Sequence, residues 1–243
     1  MCRRLASYTQ IEPVVIAPRE YFMSLIQQVL PFFLIGARNT LIYCFIAFPL
    51  ALLLGLLLAL MRSSRIAWFS STARIYIEVL RNTPIITQIF LLYYGIGAIL
   101  AVYNLAQIDN SWTAGVAVLA LNYAAYEAEV FRAGFLSVEH GQTEAALSLG
   151  MTSGQNFSHI VLPQANPLMI PPFVNDFIYM LKDSAIVSVI SGTELTSVLQ
   201  FWVFRNSSNT IPLYTLAIVL YLLMSLPISY VARWYERRLR AAL

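Results

Sequence analysis

TEAALSLGMTSGQNFSHIVLP, residues 143–163, is a polar and helix-prone stretch set between two strongly apolar ones. It carries glycines at Gly150 and Gly154 and ends in an apolar turn at Pro163. Its meaning depends on its surroundings, which are unusually greasy. Of 243 residues, 59% are hydrophobic and 11% are charged, where soluble domains carry roughly 25% charged residues. This balance points to one membrane domain and away from a water-soluble fold. Five apolar runs are long enough to cross a bilayer: 41–61, 84–103 (extended backward through 74–83), 112–136, 167–190 and 211–231. The segment 19–38 mixes apolar residues with Gln27, Gln28 and Pro31, which predicts an amphipathic interfacial helix leading into the first span. The expected fold class is therefore an all-α polytopic membrane protein with about five transmembrane helices. The divisions are an N-terminal tail and interfacial helix over 1–35, a transmembrane domain over 36–235, and a C-terminal tail over 236–243. The quoted stretch lies inside the loop 137–163.

Arginine placement orients the spans. Arg62, Arg65 and Arg74 lie between the first two, and Arg233, Arg237, Arg238 and Arg240 follow the fifth. The loop 104–111 has no basic residue, and the loop after the fourth span has only Arg205. With five spans this puts the N-terminus outside, the C-terminus in the cytoplasm and the quoted stretch in the cytoplasm. Arg3, Arg4 and Arg19 dissent mildly. The N-terminal stretch has no long apolar core directly after its arginines, so no cleaved signal peptide is expected there. The net charge of +3, with one lysine and no extended basic run, does not suggest nucleic acid. Cys2 and Cys44 make no disulfide framework, and Cys44 reads as a small core residue. Pro49, Pro84, Pro171, Pro172 and Pro227 fall in or near spans and are expected to kink helices without ending them.

Within the loop, residues 142–149 suit two helical turns, and Gly150 permits a left-handed or closely packed turn. A second short helix over 153–161 follows, with Pro163 ending it before the fourth span. Two short helices at an angle make a rigid knob; the bland alternative is a surface helix that uses Gly150 as its C-cap. The spacing is more specific than that. Glu144-Ala145-Ala146, three residues, Gly150, nine residues and Ile160-Val161-Leu162-Pro163 closely resemble the EAA loop of bacterial ABC-importer permeases. Three further stretches resemble the polar amino-acid branch of that family: YIEVLRNTPIITQIFLLYYG (76–95), AAYEAEVFRAGFLSVEHGQTEAA (124–146) and LPQANPLMIPPFVNDFIYMLKDSAIVSVI (162–190). The resemblance covers roughly 35–235. One departure is NPLM after Ala165, where the family usually has a basic residue or two.

The resemblance implies a type I ABC-importer permease fold, in the bacterial inner membrane, with the knob docking in a cleft of a separate ATP-binding subunit. Glu144, Ala145, Ala146 and Gly150 are then the coupling residues. It also implies a second permease chain, identical or paralogous, a periplasmic or extracellular solute-binding protein and an amino-acid substrate, the alternative being another small solute such as a sulfonate, a phosphonate or methionine. ATP and magnesium would be bound by the partner ATPase, with no cofactor in this chain.

Ionisable groups inside spans are costly and face a bundle interior, a partner or a wet cavity. Glu129 with Arg132, and Glu78 with Arg81, are spaced as neutralising pairs on one helical face. Asp176 and Asp183, seven apart, also share a face. A zwitterionic amino acid needs a cation for its carboxylate and an anion for its ammonium. Adjacent Lys182 and Asp183 offer both on a cavity wall, and Ser184 adds a hydroxyl. The structural alternative is that Lys182 and Asp183 pair with other protein groups. Asn122, Tyr126 and Glu127 are candidates for the same cavity. Glu127 is of interest because Val130 and Phe131, at the following helical contact positions, offer no cation; a second permease chain is its alternative partner.

No G-x-x-x-x-G-K-[ST] loop and no H-E-x-x-H are present. His140 and His159 lack neighbours at metal spacing. No nucleophilic triad can be assembled, so no enzymatic activity is expected. The sequon-like Asn156 and Asn206 carry little weight. A stand-alone secondary transporter calls for more spans, often as a visible internal repeat, and leaves the knob without a purpose.

Overall fold

The computed structural model describes residues 19–103, 110–206 and 210–242. The N-terminal tail with Cys2, Arg3 and Arg4, and most of the arginine-free loop 104–111, fall outside the described residues. Every regular element among the described residues is helical.

Helix α1 (Arg19–Arg62) has 44 residues, about 66 Å at 1.5 Å per residue. The expected interfacial helix and the first span are thus one element, which corrects the sequence reading. The amphipathic stripe is real, but its apolar side is satisfied inside the chain. Leu25, Val29 and Phe33 pack against Leu195, Leu213 and Ala217 of the C-terminal helices, while Gln27 and Gln28 stay exposed.

The second span is broken. Helix α2 (Ala67–Arg81) stops at Asn82, and α3 (Ile85–Phe90) runs through a π-helical stretch (Leu91–Ile96) into α4 (Gly97–Val102). The chain bends by 108° from one arm to the other. The expectation that 74–83 simply extends the span is corrected here. Pro84 holds φ −62° and ψ 134° ahead of α3 and lacks the N–H that a continuing helix needs. The freed carbonyls do not stay bare, which matters where water is scarce. Gln88 Nε2 donates to Leu80 O at 2.9 Å and Thr83 O at 3.1 Å.

Helix α5 (Ser111–Leu136) is the hub, packed against α1 along most of its length. Small residues allow the approach. Ala51, Gly55 and Ala59 recur every fourth position of α1, and a Cβ at Gly55 would sit 2.7 Å from Glu127 Cβ and 3.1 Å from Ala124 O. This is the close packing that small residues give membrane helices.

The loop after α5 forms α6 (His140–Ser148) and α7 (Ser153–Asn156), a π-helical turn (Phe157–Val161) and α8 (Leu162–Asp183). Pro163 was expected to end the loop's second helix. Instead Val161 and Leu162 are both right-handed helical and the run is unbroken. In a regular helix the Pro163 ring would clash with the His159 carbonyl; the π-helical turn, which widens the ring of hydrogen bonds, lies at that point.

After α8 a 3₁₀ segment (Ser184–Ile190) ends at left-handed Ser191, with φ 59°. Then comes α9 (Leu195–Arg205), where the sequence predicts a loop, bent 51° from the preceding run. Buried Glu194 caps α9, accepting from Ser197 N and Thr196 N at 2.6 Å each. Helix α10 (Ile211–Ala242) closes the bundle against α8 and α9. Among the described residues, two helices are long and apolar enough to cross a membrane, Ser24–Arg62 and Ile211–Leu239, and two bent pairs reach that mark together.

Candidate functional site

Two constructions concentrate the candidate residues. The first is the knob made by α6 and α7. Its corner is a complete helix stop: Gly150 N donates to Leu147 O at 3.0 Å, and Met151 N reaches back to Ala146 O at 3.2 Å. Gly150 sits at φ +83° with nothing near its Cβ position. Backbone geometry, then, is what requires glycine there, and a Schellman stop is what it completes. Thr152 restarts the chain with a reciprocal capping box to Gln155. The two short helices are tied by Asn156 Nδ2 donating to Thr143 Oγ1 at 3.3 Å. The assembly is anchored to the bundle by Phe157 against Phe135, with ring centroids 5.2 Å apart.

The sequence-predicted coupling residues divide by face. Ala146 is buried and packs inward, so it shapes the knob. Glu144 and Ala145 are exposed, with Glu144 Oε1 beside His140 Nδ1 at 3.1 Å. The sequence reading missed the knob's most prominent apolar groups. Leu147 is 46% exposed and Leu149 is 85% exposed. Only the orientation of the helix stop reveals that these two point outward.

The second construction lies along the α5–α8 contact. Tyr123 donates its hydroxyl to Asp183 Oδ2 at 2.8 Å. Tyr126 lies one turn along α5, its ring 5.8 Å from that of Tyr123. The Arg81 guanidinium rests 5.3 Å above the Tyr126 ring. Lys182 is exposed and holds its ammonium 4.4 Å over the Tyr179 ring. The result is a wall of charged and aromatic groups in which Asp183, Tyr123, Tyr126 and Arg81 follow one another, with Lys182 at its edge over Tyr179. Tyr123 and Arg81 were not among the expected site residues, and only the packing of α2 and α5 brings them in.

Three expected members stand apart. Asn122 is buried at the α2–α3 break, donating to Gln88 Oε1 at 2.9 Å and Leu80 O at 3.3 Å. Ser184 is buried and donates to Leu181 O at 2.8 Å. Glu127 is 0% exposed, faces Gly55, and has no hydrogen-bond partner for either carboxylate oxygen among the described residues. Of the expected ion pairs, Glu129–Arg132 forms at 2.8 Å, and Glu129 also pairs with Arg62 of α1. The Glu78–Arg81 pair does not form. Glu78 Oε2 instead accepts from Asn82 Nδ2 at 3.2 Å, while Arg81 turns to Tyr126. No group of His, Cys, Asp and Glu able to hold a metal occurs among the described residues.

Comparison with known proteins identifies the family of the chain. Residues 51–241 match the family described as binding-protein-dependent transport system inner membrane component. A probable amino-acid ABC transporter permease protein of Sinorhizobium fredii is 34% identical, over 84% of this chain and 86% of its own. The octopine transport system permease protein of Rhizobium radiobacter is 36% identical, over 74% of this chain and 77% of its own. Among solved structures, an amino acid ABC transporter crystallised with histidines superposes with a TM-score of 0.80. It is 38% identical over 89% of this chain and 98% of that one.

Proposed function

Because this chain belongs to the family of binding-protein-dependent transport system inner membrane components, we propose that it is the permease subunit of an ABC importer for polar amino acids or their derivatives. The importer works by alternating access in the bacterial inner membrane, driven by ATP that a partner subunit hydrolyses. The observation that carries this reading is the unbroken helical run from the knob, beginning at Ser153, to Asp183 beside Tyr123. One continuous element joins a docking surface to a wall of charged and aromatic groups. Exposed Leu147 and Leu149 supply apolar area for an ATPase cleft, with Glu144 as a polar anchor.

The substrate class rests on the names of the amino-acid and octopine relatives and on the chemistry of the wall. Lys182 suits a carboxylate, and Asp183 an ammonium. Tyr126 provides a surface for the side chain. Glu127 lies deeper, and a substrate reaches it only if α1 and α5 part near Gly55. Asn122 and Ser184 act through the backbone they hold. The proposed partners are ATP-binding subunits carrying ATP and magnesium, a second permease chain and an extracytoplasmic binding protein. The knob and the C-terminus face the cytoplasm, in keeping with the arginines at 62–74 and 233–240.

The test is uptake of labelled amino acids into proteoliposomes holding the whole complex, with binding protein and ATP. ATP-dependent accumulation of one or more amino acids is expected. Accumulation driven by an ion gradient without ATP, or by this chain without an ATPase, overturns the reading.

A further inference from the structure

A partly open cavity lies away from the α5–α8 wall, between α8 and α10, with a volume of about 420 Å³. It is lined by Pro171, Pro172, Asn175, Ser229, Arg233 and Glu236, among others. The prolines put compact rings where long side chains would fill the gap. Three polar side chains on its wall, Asn175, Arg233 and Glu236, have no hydrogen bond or ion pair among the described residues. Arg233 and Glu236 stand three apart on α10, so they share a face, yet they do not pair with each other. A cation, an anion and an amide are left open toward one space.

That chemistry selects a zwitterion. A simple anion would meet the Glu236 carboxylate, and a simple cation would meet Arg233. The volume falls within the range of small-molecule sites. Asn175 and Ile178 line the cavity, and Lys182 follows at helical spacing on the same face of α8, about 10 Å along the axis from Asn175. The cavity and Lys182 therefore share one track of α8.

We propose that the α8–α10 cavity is a second site for the zwitterionic head of an α-amino acid, with Arg233 taking the carboxylate and Glu236 the ammonium. This rests on the permease reading above and adds a station toward the arginine-rich end of α10. The ethanolamine phosphate headgroup of a lipid has the same separated charges and is the other source of such a ligand.

The test uses the whole complex in vesicles of phosphatidylcholine and phosphatidylglycerol. Ser229→Cys is introduced with Cys2→Ser and Cys44→Ala, and its reaction with a charged thiol reagent is timed. L-arginine and L-glutamine are the probes, and their N-acetyl amides, which lack both head charges, are the controls. At twice the dissociation constant, a bound amino acid should slow the reaction about threefold by simple occupancy. The blocked derivatives should leave the rate unchanged, and Arg233→Gln or Glu236→Gln should abolish the protection. Equal rates with and without both amino acids overturn the site. So does protection by added phosphatidylethanolamine alone, which assigns the cavity to lipid. ATP-driven uptake by the same Ser229→Cys complex is measured in parallel. Uptake without protection removes this site and leaves the permease reading standing, whereas absence of uptake in the unmodified complex counts against the permease reading itself.

Discussion

Tyr123 gives its hydroxyl hydrogen to Asp183 across 2.8 Å, binding α5 to the last residue of α8. The bond fixes one oxygen of Asp183 and leaves the other available. Tyr123→Phe should lower the thermal stability of the complex by the worth of one hydrogen bond to a charged group, about 1.5–3 kcal/mol. Asp183→Asn keeps an acceptor for Tyr123, so it should cost less stability while reducing uptake at least as much. A thermal midpoint and an uptake rate, taken on both variants, separate the two roles. If Asp183→Asn costs more stability than Tyr123→Phe and spares uptake, Asp183 is structural.

Leu149 projects from the knob with 85% of its surface exposed, so little packing within the chain depends on it. Leu149→Ser should leave insertion and thermal stability unchanged. It should weaken ATPase association by about 1.5–3 kcal/mol, the worth of a fully buried leucine. Gly150→Pro acts differently, removing the donor to Leu147 O and forbidding φ +83°. It should uncouple ATP hydrolysis from uptake. Copurification of the ATPase at wild-type strength with both variants would remove the knob from the docking surface.

Glu127 is a carboxyl group enclosed without a hydrogen-bond partner among the described residues. Glu127→Gln keeps the shape and cannot ionise in this enclosed place, so thermal stability should hold or rise. If a cationic substrate side chain supplies the missing partner during transport, uptake of arginine and ornithine should fall more than uptake of glutamine. Equal losses across the panel, or none, would take Glu127 off the pathway.

Arg62 and Arg132 converge on Glu129 from two helices. Glu129→Gln should loosen the end of α1 against α5 and lower the thermal midpoint. Arg62→Lys should recover part of what Arg62→Ala loses, because a lysine keeps the charge without the planar fork. A midpoint unchanged in all three variants would show the cluster to be idle.

Local chemistry explains what the sequence disclosed. Gly150 and the residues around it specify the knob because a left-handed stop and a capping box depend on neighbours in the chain. The uncharged runs disclosed their helices for the same reason. What stayed hidden depended on distant partners. Nothing near residues 19–38 says that the stripe Leu25, Val29 and Phe33 meets Leu195 and Leu213 rather than the membrane surface. Pro163 and Pro84 look equally disruptive in isolation. One is absorbed by a π-helical turn, and the other opens a 108° corner whose carbonyls Gln88 satisfies. Arg81 was assigned to Glu78 by spacing, but the tertiary fold offers it the face of Tyr126 instead. Tyr123 escaped notice because a tyrosine in an apolar helix carries no signal until its hydroxyl is seen to reach Asp183.

The helical run from Ser153 to Asp183 is continuous in spite of Pro163, Pro167, Pro171 and Pro172 along it, and this continuity turns it into a lever. Its 31 positions span about 46 Å at helical rise, slightly less where the chain tightens or widens. A joint at Pro163 would let a displacement of the knob dissipate as local bending. A stiff rod has to pivot, so a sideways push at one end reappears at the other as a swing whose direction depends on where the rod is gripped. The tight contact with α5 is the natural fulcrum. The position of the aromatic grip at Phe131 and Phe173, whose rings lie 4.9 Å apart, therefore bears on the size of the swing at Asp183. Trimming Phe173 would change the mechanical advantage without touching either end.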